Sequence, residues 1–157
     1  MKGLIRGSVL VVALLLVSAY PLSQVSANHT ETPSNKSAEQ QHHRLVIQVN
    51  KNDAEMQDHA LSNIVNLQKH YGMDYIDIEV VAYGPGIWLL TDKSHYAARV
   101  KSLMLQNVVF TACTNTLDAI EAKDGKRPSL LPDIEQAQAG IARIMERQEQ
   151  GWSYLSP

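Results

Sequence analysis

An alternation of two hydrophobic patterns constrains the fold of this chain more than any other feature. From Arg44 onward, short β-branched runs alternate with segments in which apolar residues recur every three or four positions. The first pattern is typical of buried strands and the second of helices packed on a sheet. Because parallel strands are joined by helical crossovers, we predict an α/β fold with three layers: a mostly parallel sheet with helices on both faces.

The elements of this fold can be placed along the chain. The predicted strands are residues 45–50, 76–83 and 108–112, with weaker candidates at 134–138 and 152–155. The predicted helices are residues 53–71, a segment capped by Ser94 that runs through Met104, 114–123 and 140–150. Asn52 or Asp53 is suited to cap the first helix and Gly72 to end it. Pro128 and Pro132 predict an irregular loop before the last strands.

The N-terminal residues predict export. Lys2 and Arg6 precede an apolar run too short to span a bilayer, and small residues follow at a cleavage-like site. We expect a secretory signal peptide at 1–27, a flexible polar tether at 28–43 and a single domain at 44–157. The mature protein is expected in the periplasm or secreted, without a membrane attachment after cleavage.

Composition excludes several function classes. The chain has 14 basic and 16 acidic residues, and removal of two basic residues with the signal peptide leaves 12 − 16 = −4. A mildly acidic chain without a basic stripe is not expected to bind nucleic acid. His29, His42 and His43 lie in or beside the tether, but a closed metal site requires four ligands at defined spacing. We interpret them as solvated tail residues and predict neither a metal nor a cofactor.

Cys113 is the only cysteine and the best candidate for chemistry. It lies at the end of a predicted strand, directly before a predicted helix. Unpaired N–H groups and the helix dipole at such a position favour the nucleophilic thiolate. A lone thiol in an exported protein can also form an intermolecular disulfide, or be buried as a small hydrophobe, which is its usual fate. A Cys-x-x-Cys motif is absent, which argues against a dithiol oxidoreductase.

Ligands of parallel sheets bind beyond the carboxyl ends of the strands. Three segments should meet there: residues 50–53, 83–86 and 113–116. We predict a pocket around the sulfur, with binding residues Asn50, Gly84, Gly86, Thr114, Asn115 and Thr116. The alternative is that Asn115 and the threonines only cap a helix, and that Gly84-Pro85-Gly86 is an ordinary turn.

Three sequence blocks carry a resemblance to a known family. They are Val81-Ala82-Tyr83-Gly84-Pro85-Gly86, Phe110-Thr111-Ala112-Cys113-Thr114-Asn115-Thr116-Leu117, and residues 139–144 with the C-terminal Gln148-Glu149-Gln150-Gly151-Trp152-Ser153-Tyr154-Leu155-Ser156-Pro157. In this order and spacing they resemble the exported branch of the DsrE/DsrF-like family. The resemblance covers residues 44–157.

The resemblance implies a YchN-like fold that is assembled as a homo-oligomer, either a trimer or a hexamer. For some members it also implies a cysteine that carries persulfide sulfur from a sulfur donor to a thiol acceptor protein. Cys113 matches the family's strand-end cysteine, whereas Thr114 stands where the family often has glycine. Two hypotheses follow: a single-cysteine sulfur carrier or sulfurtransferase-like relay, and a non-catalytic oligomeric binding module with a structural cysteine. The sequence does not decide whether the protein is an enzyme.

Overall fold

The structure, a computed structural model, describes residues 41–157. The expected signal peptide and most of the expected tether, with His29, lie outside the described residues. The strands are β1 His43–Val49, β2 Ile76–Ala82, β3 Val108–Cys113, β4 Glu135–Ala137 and β5 Ser153–Leu155. The α-helices are α1 Ala54–Tyr71, α2 Ala97–Met104, α3 Thr114–Asp124 and α4 Gly140–Glu149, with short 3₁₀ helices at Met73–Tyr75 and Gly84–Leu90.

The five strands form one sheet in the order β4-β3-β2-β1-β5, and every neighbouring pair is parallel. The predicted α/β class is confirmed, and the sheet is more uniformly parallel than expected. Val49 of β1 is paired with Ala82 of β2, which is paired with Ala112 of β3. The carboxyl ends of the three central strands are therefore level, and the residues that follow them share one edge.

One face of the sheet carries most of the hydrophobic core. It is covered by α1, α2, α3 and the 3₁₀ helix Gly84–Leu90, whose apolar side chains are buried against alternate residues of the strands. Phe110 at the centre of β3 is 1% exposed, and Leu61 and Ile64 of α1 are fully buried. Burial of this size supplies the main driving force for folding.

Among the elements within residues 41–157, α4 alone covers the opposite face. Its apolar cluster is small: Val46, Val81 and Ile144 are buried, and Tyr83 and Trp152 pack against them. Helices on both faces are therefore confirmed, but the two layers differ greatly in hydrophobic content. Trp152 packs within its own chain, with the Arg147 guanidinium 4.4 Å from the centre of its ring.

Local signals explain where the elements begin and end. The Met56 N–H donates to Asp53 Oδ1 at 2.8 Å, so the predicted N-cap of α1 is confirmed. β1 begins at His43, whose ring stacks on Tyr71 with centroids 3.9 Å apart. The interpretation of His43 as a solvated tail residue is therefore wrong, because the strand begins two residues earlier than expected. His42 lies 2.9 Å from the Asp77 carboxylate.

Between residues 41 and 157, no helix combines the length and the apolar character needed to cross a bilayer. In the same range, no three His, Cys, Asp or Glu side chains lie together in a way that could hold a metal ion.

Candidate functional site

The three segments that follow the central strands meet at one edge of the sheet, as predicted. The Asn50 side-chain amide donates to the Tyr83 hydroxyl at 3.4 Å. The Gly84 N–H donates to the Thr116 hydroxyl oxygen at 2.9 Å. These two contacts link the ends of β1 and β2 to the first turn of α3.

Cys113 is the last residue of β3 and the residue directly before α3. Side chains alternate along a strand, so Cys113 shares a face with Thr111, the face that α4 covers. A Cβ atom added to Gly140, the first residue of α4, would lie 3.2 Å from the Cys113 Cβ and 3.1 Å from the Tyr83 Cβ. The N-terminus of α4 therefore packs directly against the cysteine, and Cys113 is only 5% exposed.

Hydrogen bonds around the sulfur favour its charged form. Burial raises the pKa of Cys113, but the Thr116 hydroxyl and the backbone N–H groups of Gly140, Thr116 and Asn115 lower it by more. The net result is a pKa below the ordinary value for cysteine. The donors come from the N-termini of both α3 and α4, so two helix dipoles converge on one thiolate.

The Thr116 hydroxyl connects the sulfur to the end of β2. Its oxygen accepts the Gly84 N–H, so its own proton remains free to be donated to the Cys113 sulfur. Thr114 occupies the first turn of α3 with ordinary backbone geometry, because only Asn107 and Asp133 have positive φ among the described non-glycine residues. The departure from a family glycine therefore imposes no backbone strain.

Gln138 holds the first turn of α3 in place. Its carbonyl oxygen accepts the Asn115 N–H at 3.0 Å, and its side-chain amide donates to Asn115 Oδ1 at 2.6 Å. The same carbonyl lies 3.8 Å from the Cys113 sulfur and can accept its S–H proton. Sequence reasoning missed both Gln138 and Gly140. The one available signal was a glycine at the start of a helix, which permits a close approach.

A groove of about 470 Å³ lies beside the first turn of α3 and includes Thr116 in its lining. It is lined by Gly84, Pro85, Trp88, Asn115, Thr116, Ala119, Ile120 and Lys123. Gly84, Asn115 and Thr116 are thus the predicted binding residues that the structure brings to this groove. Asn50, Gly86, Thr114 and Cys113 itself are not among its lining residues.

Gly86 has a packing role that the sequence did not reveal. A Cβ atom at this position would lie 2.1 Å from the Val49 carbonyl oxygen, a distance that no side chain can tolerate. Gly86 is buried, so it allows the chain after β2 to cross closely over the end of β1. We therefore correct its predicted assignment: in this structure it packs against the backbone and does not face the groove.

Comparison with known proteins agrees with this architecture. Several solved structures match the fold of this chain, among them the three that follow, which defines the chain as an α/β protein of YchN-like fold. A protein of unknown function from Methanobacterium thermoautotrophicum, MTH1491, is 34% identical with a TM-score of 0.67, covering 73% of this chain and 99% of its own. The E. coli ychN protein is 12% identical with a TM-score of 0.56, covering 74% of this chain and 99% of its own.

A conserved protein of unknown function from Bacteroides thetaiotaomicron, BT1422, is 14% identical with a TM-score of 0.53, covering 73% of this chain and 94% of its own. A search of curated proteins finds no significant match. The model of the DsrE/DsrF-like family matches residues 43–157, so the chain belongs to that family. The family is generally linked to sulfur relay.

Proposed function

We propose that this protein is a single-cysteine sulfur carrier. The Cys113 thiolate attacks the outer sulfur of a persulfide donor, R–S–SH, forming a new S–S bond while the donor leaves as the thiolate R–S⁻. The protein-bound product is the Cys113 persulfide. An acceptor thiolate then attacks the outer sulfur of that persulfide, takes it as a new persulfide and releases the Cys113 thiolate. No net oxidant or reductant is required.

The observation that carries this proposal is the convergence of two helix N-termini on the sulfur. Nucleophilic attack and departure both involve the Cys113 thiolate, so donors that stabilise its charge serve both steps. A resolving cysteine is not needed, because the sulfur leaves on a partner thiol. The lowered pKa of Cys113 agrees with this role, since it increases the thiolate fraction at neutral pH.

We propose that the sulfur donor binds in the groove beside the first turn of α3. Asn115 and Thr116 both line it, and both are among the residues that lower the pKa of Cys113. The groove therefore begins at Asn115, two residues after the nucleophile in the sequence. Its lining includes the exposed ring of Trp88 and the cation of Lys123, a mixed surface suited to an organic sulfur donor with a negative group.

Mass spectrometry of the protein from its own compartment tests the proposal. An additional sulfur on the peptide that contains Cys113, removable by a reductant, is the expected result. The purified protein should also gain this sulfur from a low-molecular-weight persulfide, whereas a Cys113→Ser variant should not. An unmodified thiol under both conditions would contradict the sulfur-carrier function.

One observation favours the second candidate, a non-catalytic binding module with a structural cysteine. Cys113 is 5% exposed and packs against Gly140, as expected for a cysteine that only fills space. This candidate expects a thiol that resists alkylation until the protein unfolds. Alkylation of the folded protein, with a pH midpoint below the free-thiol value of about 8.5, would eliminate it.

We further propose that the protein is exported, on the basis of the signal-like residues 1–27. N-terminal sequencing of protein from the periplasm or medium should return a start near Asn28. Protein found only in the cytoplasm, with a start at Met1, would contradict export.

Assembly as a trimer or hexamer is also proposed. Ile141 and Met145 lie one turn apart on α4 and are more than half exposed, at 54% and 56%, and Leu105 is 89% exposed. Apolar side chains of this kind are often covered in oligomers. Light scattering should give a mass of three or six subunits, and a stable monomer at micromolar concentration would contradict this.

A further inference from the structure

Glu79 of β2 is fully buried at the centre of a polar cluster. Its Oε1 accepts hydrogen bonds from the Thr111 hydroxyl at 2.7 Å and from Arg143 Nε at 2.8 Å, and its Oε2 accepts one from Arg147 Nε. Burial raises the pKa of Glu79, but Arg143, Thr111 and Arg147 lower it by more, so the carboxylate is charged at neutral pH. We call these four residues the Glu79 cluster.

The two arginines attach α4 to the sheet. Gly140, Arg143 and Arg147 follow one another at intervals of three and four, so they lie on one side of the helix. The one large side chain that α4 buries is Ile144. The apolar contact of one side chain has no directional preference. Two charge-assisted hydrogen bonds to one carboxylate do have one, so they set both the position of α4 over the sheet and its rotation about its own axis.

The same side of α4 carries the residue that packs against the thiol. Gly140 lies one turn before Arg143, and a Cβ atom added to it would lie 3.2 Å from the Cys113 Cβ. Its backbone N–H is one of the groups that lower the pKa of Cys113. We infer that the Glu79 cluster is a positioning device, which holds the N-terminus of α4 against Cys113 and so keeps that donor in place. This inference rests on the proposed function because it concerns the nucleophile of the sulfur carrier. It is tested by the alkylation midpoint of Cys113, which is measured separately from sulfur transfer.

Other charges nearby cannot replace Glu79. Glu135 of β4 and Glu146 of α4 lie 3.9 Å and 4.0 Å from Arg143, and both are more than half exposed, at 57% and 56%. Asp77 of β2 is 54% exposed and pairs with His42. Exposed carboxylates interact weakly with their partners, so only the buried carboxylate can fix the position of α4.

A Glu79→Gln variant tests the inference with little change in shape. The amide offers one acceptor oxygen, while its NH₂ group faces the Arg147 N–H, and two donors cannot bond. We expect α4 to shift and the Gly140 N–H to leave the sulfur. The alkylation midpoint of Cys113 should rise by about one pH unit, which is about a tenfold loss of thiolate below both midpoints.

Two further variants separate positioning from general instability. Val100→Ala removes buried side-chain volume on the opposite face of the sheet; it should lower stability without moving the midpoint. Arg143→Gln removes only one of the arginines, whose side chain is 25% exposed. It should raise the midpoint by less than Glu79→Gln, and Arg143→Lys should restore part of the difference. Arg143→Gln also provides the test if Glu79→Gln does not fold.

The outcomes distinguish the inference from the proposed function. A low midpoint in the parent protein that stays unchanged in folded Glu79→Gln and Arg143→Gln overturns the inference alone. A midpoint that rises in these variants, in a protein that takes no sulfur from a persulfide, supports the inference and overturns the sulfur carrier. A parent midpoint at the free-thiol value overturns both.

Discussion

Replacement of Gly140 by alanine should loosen the contact between α4 and the cysteine. The added Cβ would lie 3.1 Å from the Tyr83 Cβ, 3.2 Å from the Cys113 Cβ and 3.3 Å from the Val81 Cγ1. Carbon atoms in favourable contact are about 3.5–4.0 Å apart. None of the three neighbours is the free end of a flexible side chain, so α4 itself has to move by a few tenths of an ångström.

The size of the effect follows from two opposing contributions. An extra methyl group in a packed site destabilises by about 1–3 kcal/mol, while alanine is favoured over glycine in a helix by about 1 kcal/mol. We expect a net loss of about 1 kcal/mol in the free energy of unfolding, together with a higher pKa of Cys113 because the Gly140 N–H moves away. Urea denaturation and alkylation rate against pH measure the two effects.

Gly125→Ala is a matched control for this experiment. Gly125 ends α3 with φ of +68°, and an added Cβ would meet no atom within 4 Å. Alanine in this left-handed conformation should cost about 1 kcal/mol and leave Cys113 unchanged. If Gly140→Ala kept the parent stability and the parent thiol pKa, the contact would not constrain the site as described.

Three further results are expected. Thr116→Val should raise the pKa of Cys113, since it removes the hydroxyl donor while keeping the shape, and Thr116→Ser should not; alkylation rates at mildly acidic pH compare the two. The pKa of Cys113 is lower in the folded protein than in a free thiol, so the free energy of unfolding of the parent should rise relative to that of Cys113→Ser as the pH approaches about 8.5. This gain should be lost as the pH falls through the folded pKa of Cys113. A difference in urea midpoint between the two proteins that stays constant with pH would contradict this. Asp53→Ala should destabilise by about 1 kcal/mol, through loss of the bond to the Met56 N–H, and unchanged thermal unfolding would argue against that cap.

The elements of the fold could be predicted from the sequence because each has a local cause. The strand 76–83 was expected from the alternation of Ile76, Ile78 and Val80, and β2 occupies Ile76–Ala82. The predicted first helix, residues 53–71, agrees within one residue with α1, which lies between the caps Asp53 and Gly72. The meeting of the three loop segments also followed, since parallel strands place their carboxyl ends together.

The parts that could not be predicted depend on contacts between distant residues. Glu79 lies among the buried apolar residues Ile78, Val80 and Val81 of β2, and its arginine partners lie 64 and 68 positions further along the chain. No local pattern indicates that α4 places its first residue on Cys113. Gly86 looked like a turn residue of a binding loop, and only its 2.1 Å approach to the Val49 carbonyl oxygen shows a packing role.

The helices on the two faces of the sheet bury very different amounts of apolar surface. This difference affects how a molecule from solution reaches Cys113. The cysteine lies beneath α4, and that helix buries little hydrocarbon compared with the helices on the other face. Segments with few apolar contacts separate from a folded protein at lower free energy than its core does. Detachment of α4 would therefore expose the sulfur while the other layer stays folded. The backbone amides of α4 should therefore exchange with deuterium faster than those of α1. The rate of thiol labelling at Cys113 should change in parallel with the exchange rate of the α4 amides.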